Sequence, residues 1–191
     1  MIDDLDRTLE ELLKHSLSPD LIRQVSISFI TPNAQFPPTS VTLPAINLFL
    51  YDVRENRELR NNEWLVERQS NGNAIKKSPL VRVDCSYLIT AWTNETSPTP
   101  IRDEHRLLGE VMKILLRYPT LPSEVLQGSL VEQELPLPTM SLQPTQLQSI
   151  GEFWQALGGK PKAVLNYTIT ISVVAQEPLT TPLATELQIN T

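Results

Sequence analysis

Apolar positions along this chain follow two periods. Over residues 2–17 they recur at spacings of three and four, so Ile2, Leu5, Leu9, Leu12 and Leu13 share one face of a predicted helix. Asp3, Asp4 and Asp6 in its first turns and Lys14 and His15 in its last suit the helix dipole, and Pro19 closes it. The same period returns over 100–117, where Leu107, Leu108, Val111, Ile114 and Leu115 form a buried stripe. Thr99 is placed to cap that helix, Pro100 fits its first position and Pro119 stops it.

Elsewhere the period is two. In 24–30, Val25, Ile27 and Phe29 point one way and Ser26 and Ser28 the other, which predicts a half-buried strand. The longest alternation runs over 79–92, with Val81, Val83, Cys85, Tyr87, Ile89 and Ala91 opposite Arg82, Asp84, Ser86 and Thr90. The last runs over 163–175, with Leu165, Tyr167, Ile169, Ile171 and Val173 inward and Asn166, Thr168, Thr170 and Ser172 outward. Residues 44–60 differ. Ile46-Asn47-Leu48-Phe49-Leu50-Tyr51 carries apolar groups on both faces, the pattern of a central strand covered on both sides. It empties directly into Asp52-Val53-Arg54-Glu55-Asn56-Arg57-Glu58-Leu59-Arg60, a dense mixture of both charge signs.

Three stretches lack a sustained period. The loop over 31–44 is too rich in proline for helix and is expected to run extended. In 54–79, Trp64, Leu65 and Val66 fit a short strand and Asn71-Gly72-Asn73 a turn, so a hairpin and an irregular excursion both remain open. In 119–148, Gly128 to Val131 fits a short strand. Ser149-Ile150-Gly151-Glu152 then matches a capping box that starts a helix through Phe153 and Trp154 to Leu157, ended by Gly158-Gly159. Residues from Gln176 onward read as a proline-containing strap. The sum is an α+β fold: a mostly antiparallel sheet of about four main strands, two flanking helices over its apolar face, a Ser/Thr/Asn-rich opposite face, and extended loops or arms. It is expected as a single domain over 1–175 with a short C-terminal tail over 176–191.

Composition narrows the function. With 191 residues, 40% hydrophobic and 20% charged, the chain suits one ordinary globular domain. A net charge of −6 with dispersed Lys and Arg argues against a nucleic-acid surface. No stretch approaches the ~20 apolar residues of a membrane helix, and the acidic N-terminus is unlike a signal peptide. The one cysteine has no intramolecular disulfide partner and fits a cytosolic origin. Sixteen prolines against six glycines imply stiff connections.

Candidate chemistry is sparse, and an enzyme is not expected. His15 and His105 stand apart on predicted helices, and with one cysteine they do not reach a zinc ligand set. Asp103-Glu104-His105 is explained by the start of a helix. There is no nucleophile elbow or phosphate-binding loop, and Cys85 alternates into the apolar face of its strand. No catalytic, cofactor-binding or metal residue is assigned. Trp64, Trp92 and Trp154 suit core or interface anchors. What remains is the charged run Asp52, Arg54, Glu55, Asn56, Arg57, Glu58 and Arg60, either a solvated face or a surface electrostatically matched to a partner.

Four blocks, in order, carry a resemblance. They are PAINLFLYDVRENRELRNN, SPLVRVDCSYLITAWT, DEHRLLGEVMKILLRYPTLP and FWQALGGKPKAVLNYTITISV. Together they resemble the N-terminal domain of tail-terminator or cap proteins from extracellular phage-tail-like contractile injection systems. The likeness covers nearly the whole chain, from Ile2 to about Val174. It implies a tail-terminator fold and a structural subunit in a homo-hexameric ring on the baseplate-distal end, ending and joining inner tube and sheath. Its partners would be its own copies, the inner-tube protein and the sheath protein, with no nucleic acid and no direct membrane insertion. It implies assembly in the bacterial cytoplasm within an injection particle that is released or held at a membrane through partners. The alternative is another adaptor or baseplate-associated subunit of the same machine. The charged run 52–60 is then the segment expected to touch a neighbouring subunit or the tube and sheath.

Overall fold

The computed structural model describes residues 1–32, 37–38, 40–133, 136–143, 150–156, 158 and 161–182. The chain divides into two compact units, Met1–Arg54 with Asp84–Ile171, and Glu55–Val83 with Ser172–Thr191.

The first unit is built on a five-stranded sheet. Its strands are β1 (Ser26–Ser28), β2 (Ala45–Glu55), β5 (Val81–Trp92), β7 (Leu165–Val173) and β6 (Thr139–Ser141), in the spatial order β1-β2-β5-β7-β6. β1 is parallel to β2 and β6 antiparallel to β7. The side-chain bonds Asp84–Thr170 and Ser86–Thr168 advance in opposite directions along β5 and β7, as antiparallel neighbours require. The fold is therefore α+β with a mixed sheet, and its long strands are the ones the alternation predicts.

Helix α1 (Ile2–Ser16) buries Leu5, Leu9, Leu12 and Leu13, whereas Ile2 at its frayed start is 39% exposed. Pro19 does more than close α1. It opens the one-turn helix α2 (Pro19–Ile22), whose Leu21 N–H donates to the Ser18 hydroxyl. Helix α3 (Pro100–Arg117) buries the full predicted stripe of Leu107, Leu108, Val111, Ile114 and Leu115. Its Thr99 makes no side-chain cap bond to the backbone. Instead the Ser97 and Thr99 hydroxyls both donate to the Asp103 carboxylate. Cys85 is fully buried, and burial pushes its thiol up to about 11, so it stays protonated and unreactive at neutral pH.

Two expectations about this unit are corrected. The Ser/Thr/Asn-rich face of β5 and β7 is not in water: Ser86, Thr90, Asn166, Thr168, Thr170 and Ser172 are all buried. The polar groups instead satisfy one another across strands. The Ser86 and Thr168 hydroxyls are 2.8 Å apart, Thr170 donates to Asp84 at 2.7 Å, and the Tyr51 hydroxyl donates to Asn166 Oδ1 at 3.0 Å. Phe49, two residues before Tyr51 and so on the same face of β2, stacks on Phe153 at 6.0 Å. That places helix α4 (Ile150–Ala156) over the polar face, with Trp154 buried beneath it. Gly158, at φ +68° with its N–H on the Gln155 carbonyl, ends α4. Ser149, Leu157 and Gly159 of the predicted helix and its caps lie outside the described residues.

The second correction concerns Gly128 to Val131, which does not form a strand. Gly128–Leu130 is a 3-10 turn, as is Ser123–Val125 before it. Gly128 adopts φ +54°, and Ser129 donates both its N–H (3.2 Å) and its hydroxyl (2.7 Å) to Asp4 Oδ2. This long-range tie to Asp4 overrides the local strand propensity. The strand in this region is β6.

The second unit contains an antiparallel sheet in the order β3-β4-β8: β3 (Leu65–Arg68), β4 (Asn73–Lys77) and β8 (Leu179–Pro182). The open choice for 54–79 resolves to a hairpin. The Gln69 N–H donates to the Asn73 carbonyl at 2.8 Å, and Gly72, at φ +81°, supplies the left-handed residue that such a loop requires. The residues read as a strap supply a third strand, because Leu179–Pro182 pairs with Asn73–Lys76. Residues 183–191 lie outside the described residues.

Candidate interaction surface

Asp52 and Arg54 stand two apart at the end of β2 and so share a face. Arg54 Nε lies 2.5 Å from Asp52 Oδ2, and this contact holds the guanidinium above its ordinary pKa. In the second unit Glu55 binds Arg60, with Nε 3.0 Å from Oε1. Asn56 organises the turn that follows. Its N–H donates to the Arg82 carbonyl at 2.8 Å, and its Oδ1 accepts the Leu59 N–H at 3.2 Å. Arg57 and Glu58 ride exposed on that turn. The seven residues of the predicted charged run thus separate into two ion pairs, one turn-forming asparagine and two solvent-facing charges.

The three-stranded sheet shows what the charge pattern alone did not. Among the described side chains of β3, β4 and β8, only Ala74 is buried. Leu65 is 58% exposed, Val66 53% and Leu179 55%, and Trp64 beside them is 38% exposed. Lys76 Nζ sits 4.6 Å from the Trp64 ring centre, and Lys77 binds Glu67 at 2.7 Å. A sheet of this size ordinarily needs an apolar face packed on something. Here the apolar side chains lie at the surface, Trp64 and Val66 on one face of β3 and Leu65 on the other. The apolar run Trp64-Leu65-Val66 was the available sequence signal. The missing element was β8, which reaches β4 from a hundred residues further along the chain.

Also within this unit, a groove of about 300 Å³ is lined by Arg60, Asn61, Trp64, Leu80, Arg82 and Gln176 among others. It is open and mixed in polarity, and its charged lining consists of the Glu55–Arg60 ion pair and Arg82. Among the described residues there is no cluster of three or more His, Cys, Asp and Glu able to hold a metal, and no helix is long and apolar enough to cross a membrane. The Asp103-Glu104-His105 cluster is structural. Asp103 accepts from Ser97 and Thr99, and Glu104 binds Lys162, whose Nζ lies 3.8 Å from the Trp92 ring centre.

A mixed α+β sheet with helices on both faces and a small, surface-rich second sheet define the fold. The chain belongs to the Pvc16 N-terminal domain family, whose model matches residues 4–186. Its fold is that of solved terminators. It is similar to the PVC sheath/tube terminator of an extracellular contractile injection system in the extended state, at 24% identity and a TM-score of 0.72, covering 100% of this chain and 63% of that one. It is likewise similar to the tube-terminating cap of the anti-feeding prophage, at 23% identity and a TM-score of 0.71, covering 100% of this chain and 61% of that one. This chain therefore spans less than two thirds of the length of either terminator. No curated protein sequence matches it significantly.

Proposed function

We propose that this chain is a structural terminator subunit of a contractile injection system, with no catalytic role. Copies of it form a hexameric ring on the baseplate-distal end of the inner tube and sheath, ending both polymers and joining them. Family membership over residues 4–186, with agreement of fold over the whole chain, carries this reading. Its partners are its own copies, the inner-tube protein and the sheath protein, and it joins the particle during assembly in the bacterial cytoplasm. The physics is consistent: a ring needs heterologous contacts that close, and proline-stiffened segments lower the entropy cost of ordering on assembly. Deleting the gene from a producing cell is expected to give sheath–tube particles of uncontrolled length, or none, by electron microscopy. Normal particles would remove the proposal.

The charged run is the proposed contact with a neighbouring subunit or with the tube and sheath. Reversing Arg54 and Arg57 to Glu is expected to impair ring formation or sheath docking while the melting temperature hardly moves. Exposed ion pairs contribute only ~0–1 kcal/mol, and Arg54 and Arg57 are both exposed. A large loss of melting temperature with assembly intact would make the run intramolecular structure instead.

A further inference from the structure

The sheet edges of this molecule are not equivalent. The Gln69–Asn73 hydrogen bond sets the phase of the β3–β4 ladder, because bonded and non-bonded pairs alternate in an antiparallel pair. Leu65 and Glu67 therefore turn their N–H and C=O groups toward β4. Val66 and Arg68, with Trp64 in the same phase, turn theirs away. Carried across β4 by its register with β8, the same phase turns Leu179 and Thr181 inward and Thr180 and Pro182 outward. The outer edge of β8 is thus blunted: Pro182 has no N–H to offer, nor does Pro178 in the same phase before the strand. In the first unit, β6 is closed, since its Thr139 N–H donates to the Pro119 carbonyl at 2.9 Å. The opposite edge, β1, has only three residues. In the small sheet β3 is the open edge, and it carries exposed Trp64, Leu65 and Val66.

We infer that β3 is a strand-accepting edge, completed on assembly by an extended segment of a partner protein. That segment pairs its backbone with Val66 and Arg68, sets apolar side chains beside Trp64 and Val66, and sets a carboxylate beside Arg68. Trp64, Val66 and Arg68 share one face of β3, so the incoming strand must alternate apolar residues with others and end acidic on that face. Charge supports the acidic partner. Val66 pairs with Lys76 and Arg68 with Ala74, so the face that carries Trp64 and Val66 also carries the two cations Arg68 and Lys76. This inference deepens the reading of the chain as an assembling structural subunit and names the mode of one of its contacts.

The test uses the full chain and a short synthetic peptide of alternating valine and threonine with glutamate near one end. Amide exchange by NMR is expected to show Val66 and Arg68 becoming protected on titration, while Glu67, already bonded to β4, is unchanged. Val66→Pro, which removes an outward N–H, and Arg68→Glu are each expected to weaken binding about tenfold or more. A peptide with lysine in place of glutamate should bind correspondingly less well, and one N-methylated at alternate residues should not bind. If Val66→Pro disturbs the hairpin by circular dichroism, Arg68→Glu and the methylated peptide still decide. Equal binding of the methylated peptide, protection elsewhere, or no binding would overturn the inference. So would protection of Val66 and Arg68 by self-association of the chain alone, which would make a second copy the occupant. Particle length after gene deletion reports separately on the terminator reading, so failure of one leaves the other standing.

Discussion

Gly128→Ala is expected to be among the most damaging single-methyl changes in the chain, lowering stability by about 3 kcal/mol and the melting temperature by about 10 °C. Gly128 has φ +54°, and a Cβ there would lie 2.0 Å from Asp4 Oδ1 and 2.4 Å from Asp4 Cγ. The carboxylate has nowhere to retreat. Oδ1 is held by Arg7 at 2.9 Å, and Oδ2 by Ser129 and by the N-terminal ammonium at 3.1 Å. The matched control is Gly109→Ala within α3, where an added Cβ meets nothing within 4 Å. That change is expected to stabilise by about 0.5–1 kcal/mol through helix propensity. Thermal unfolding of the two variants checks the argument, and equal effects would refute it. The acid limb should respond as well. Hydrogen bonds from Ser129, then the N-terminus, hold the Asp4 carboxyl below its ordinary pKa. Its contribution is therefore present above the unfolded-state pKa and is lost as pH falls through the lower folded value. Gly128→Ala should flatten that loss.

Asn47→Ala is expected to cost about 3 kcal/mol, far more than its size suggests. Asn47 is fully buried in β2, where β1 pairs with it. Its Oδ1 accepts from the Ser28 hydroxyl at 2.6 Å and the Ile30 N–H at 3.0 Å, and its Nδ2 donates to the Ile30 carbonyl at 2.9 Å. Truncation strands a backbone N–H, a carbonyl and a hydroxyl together, each at about 1–3 kcal/mol if it stays dry. Asn47→Asp separates geometry from charge. It keeps the acceptor but loses the donor and brings a buried carboxylate against the Ile30 carbonyl. Burial raises the folded-state pKa of such an acid, so its penalty is full above that pKa and relieved as pH falls below it. Chemical denaturation of Asn47→Asp should therefore show stability recovering toward acid pH. A pH-independent loss equal to that of Asn47→Ala would mean that the hydrogen bonds to Ile30 do not matter.

Much of the fold is legible because amphipathicity is local. The α3 stripe from Leu107 to Leu115 is buried as its spacing requires, and the double-faced pattern at Ile46 to Tyr51 does mark a long strand of the main sheet, second from its edge. Cys85 sits in the core where alternation puts it. The surface candidates were legible only in part. The charged run identified exposed Arg57 and Glu58 but gave no sign that Asp52 would bind Arg54, Glu55 would bind Arg60, or Asn56 would organise a turn.

The sequence alone determined the two long helices and the long strands, where apolar stripes lie, and the absence of recognised catalytic and metal motifs, because each depends on residues a few positions apart. Tertiary structure decided the rest. Ser86 and Thr168 lie 82 residues apart, and only their pairing lets a polar face be buried. Asp4 and Ser129 are separated by 125 residues, and their contact turns a candidate strand into a 3-10 turn. The third strand of the small sheet, and hence which of its edges stays open, comes from Leu179–Pro182. Burying a polar group requires a partner, and where that partner stands in the chain is set by the fold rather than by any local pattern.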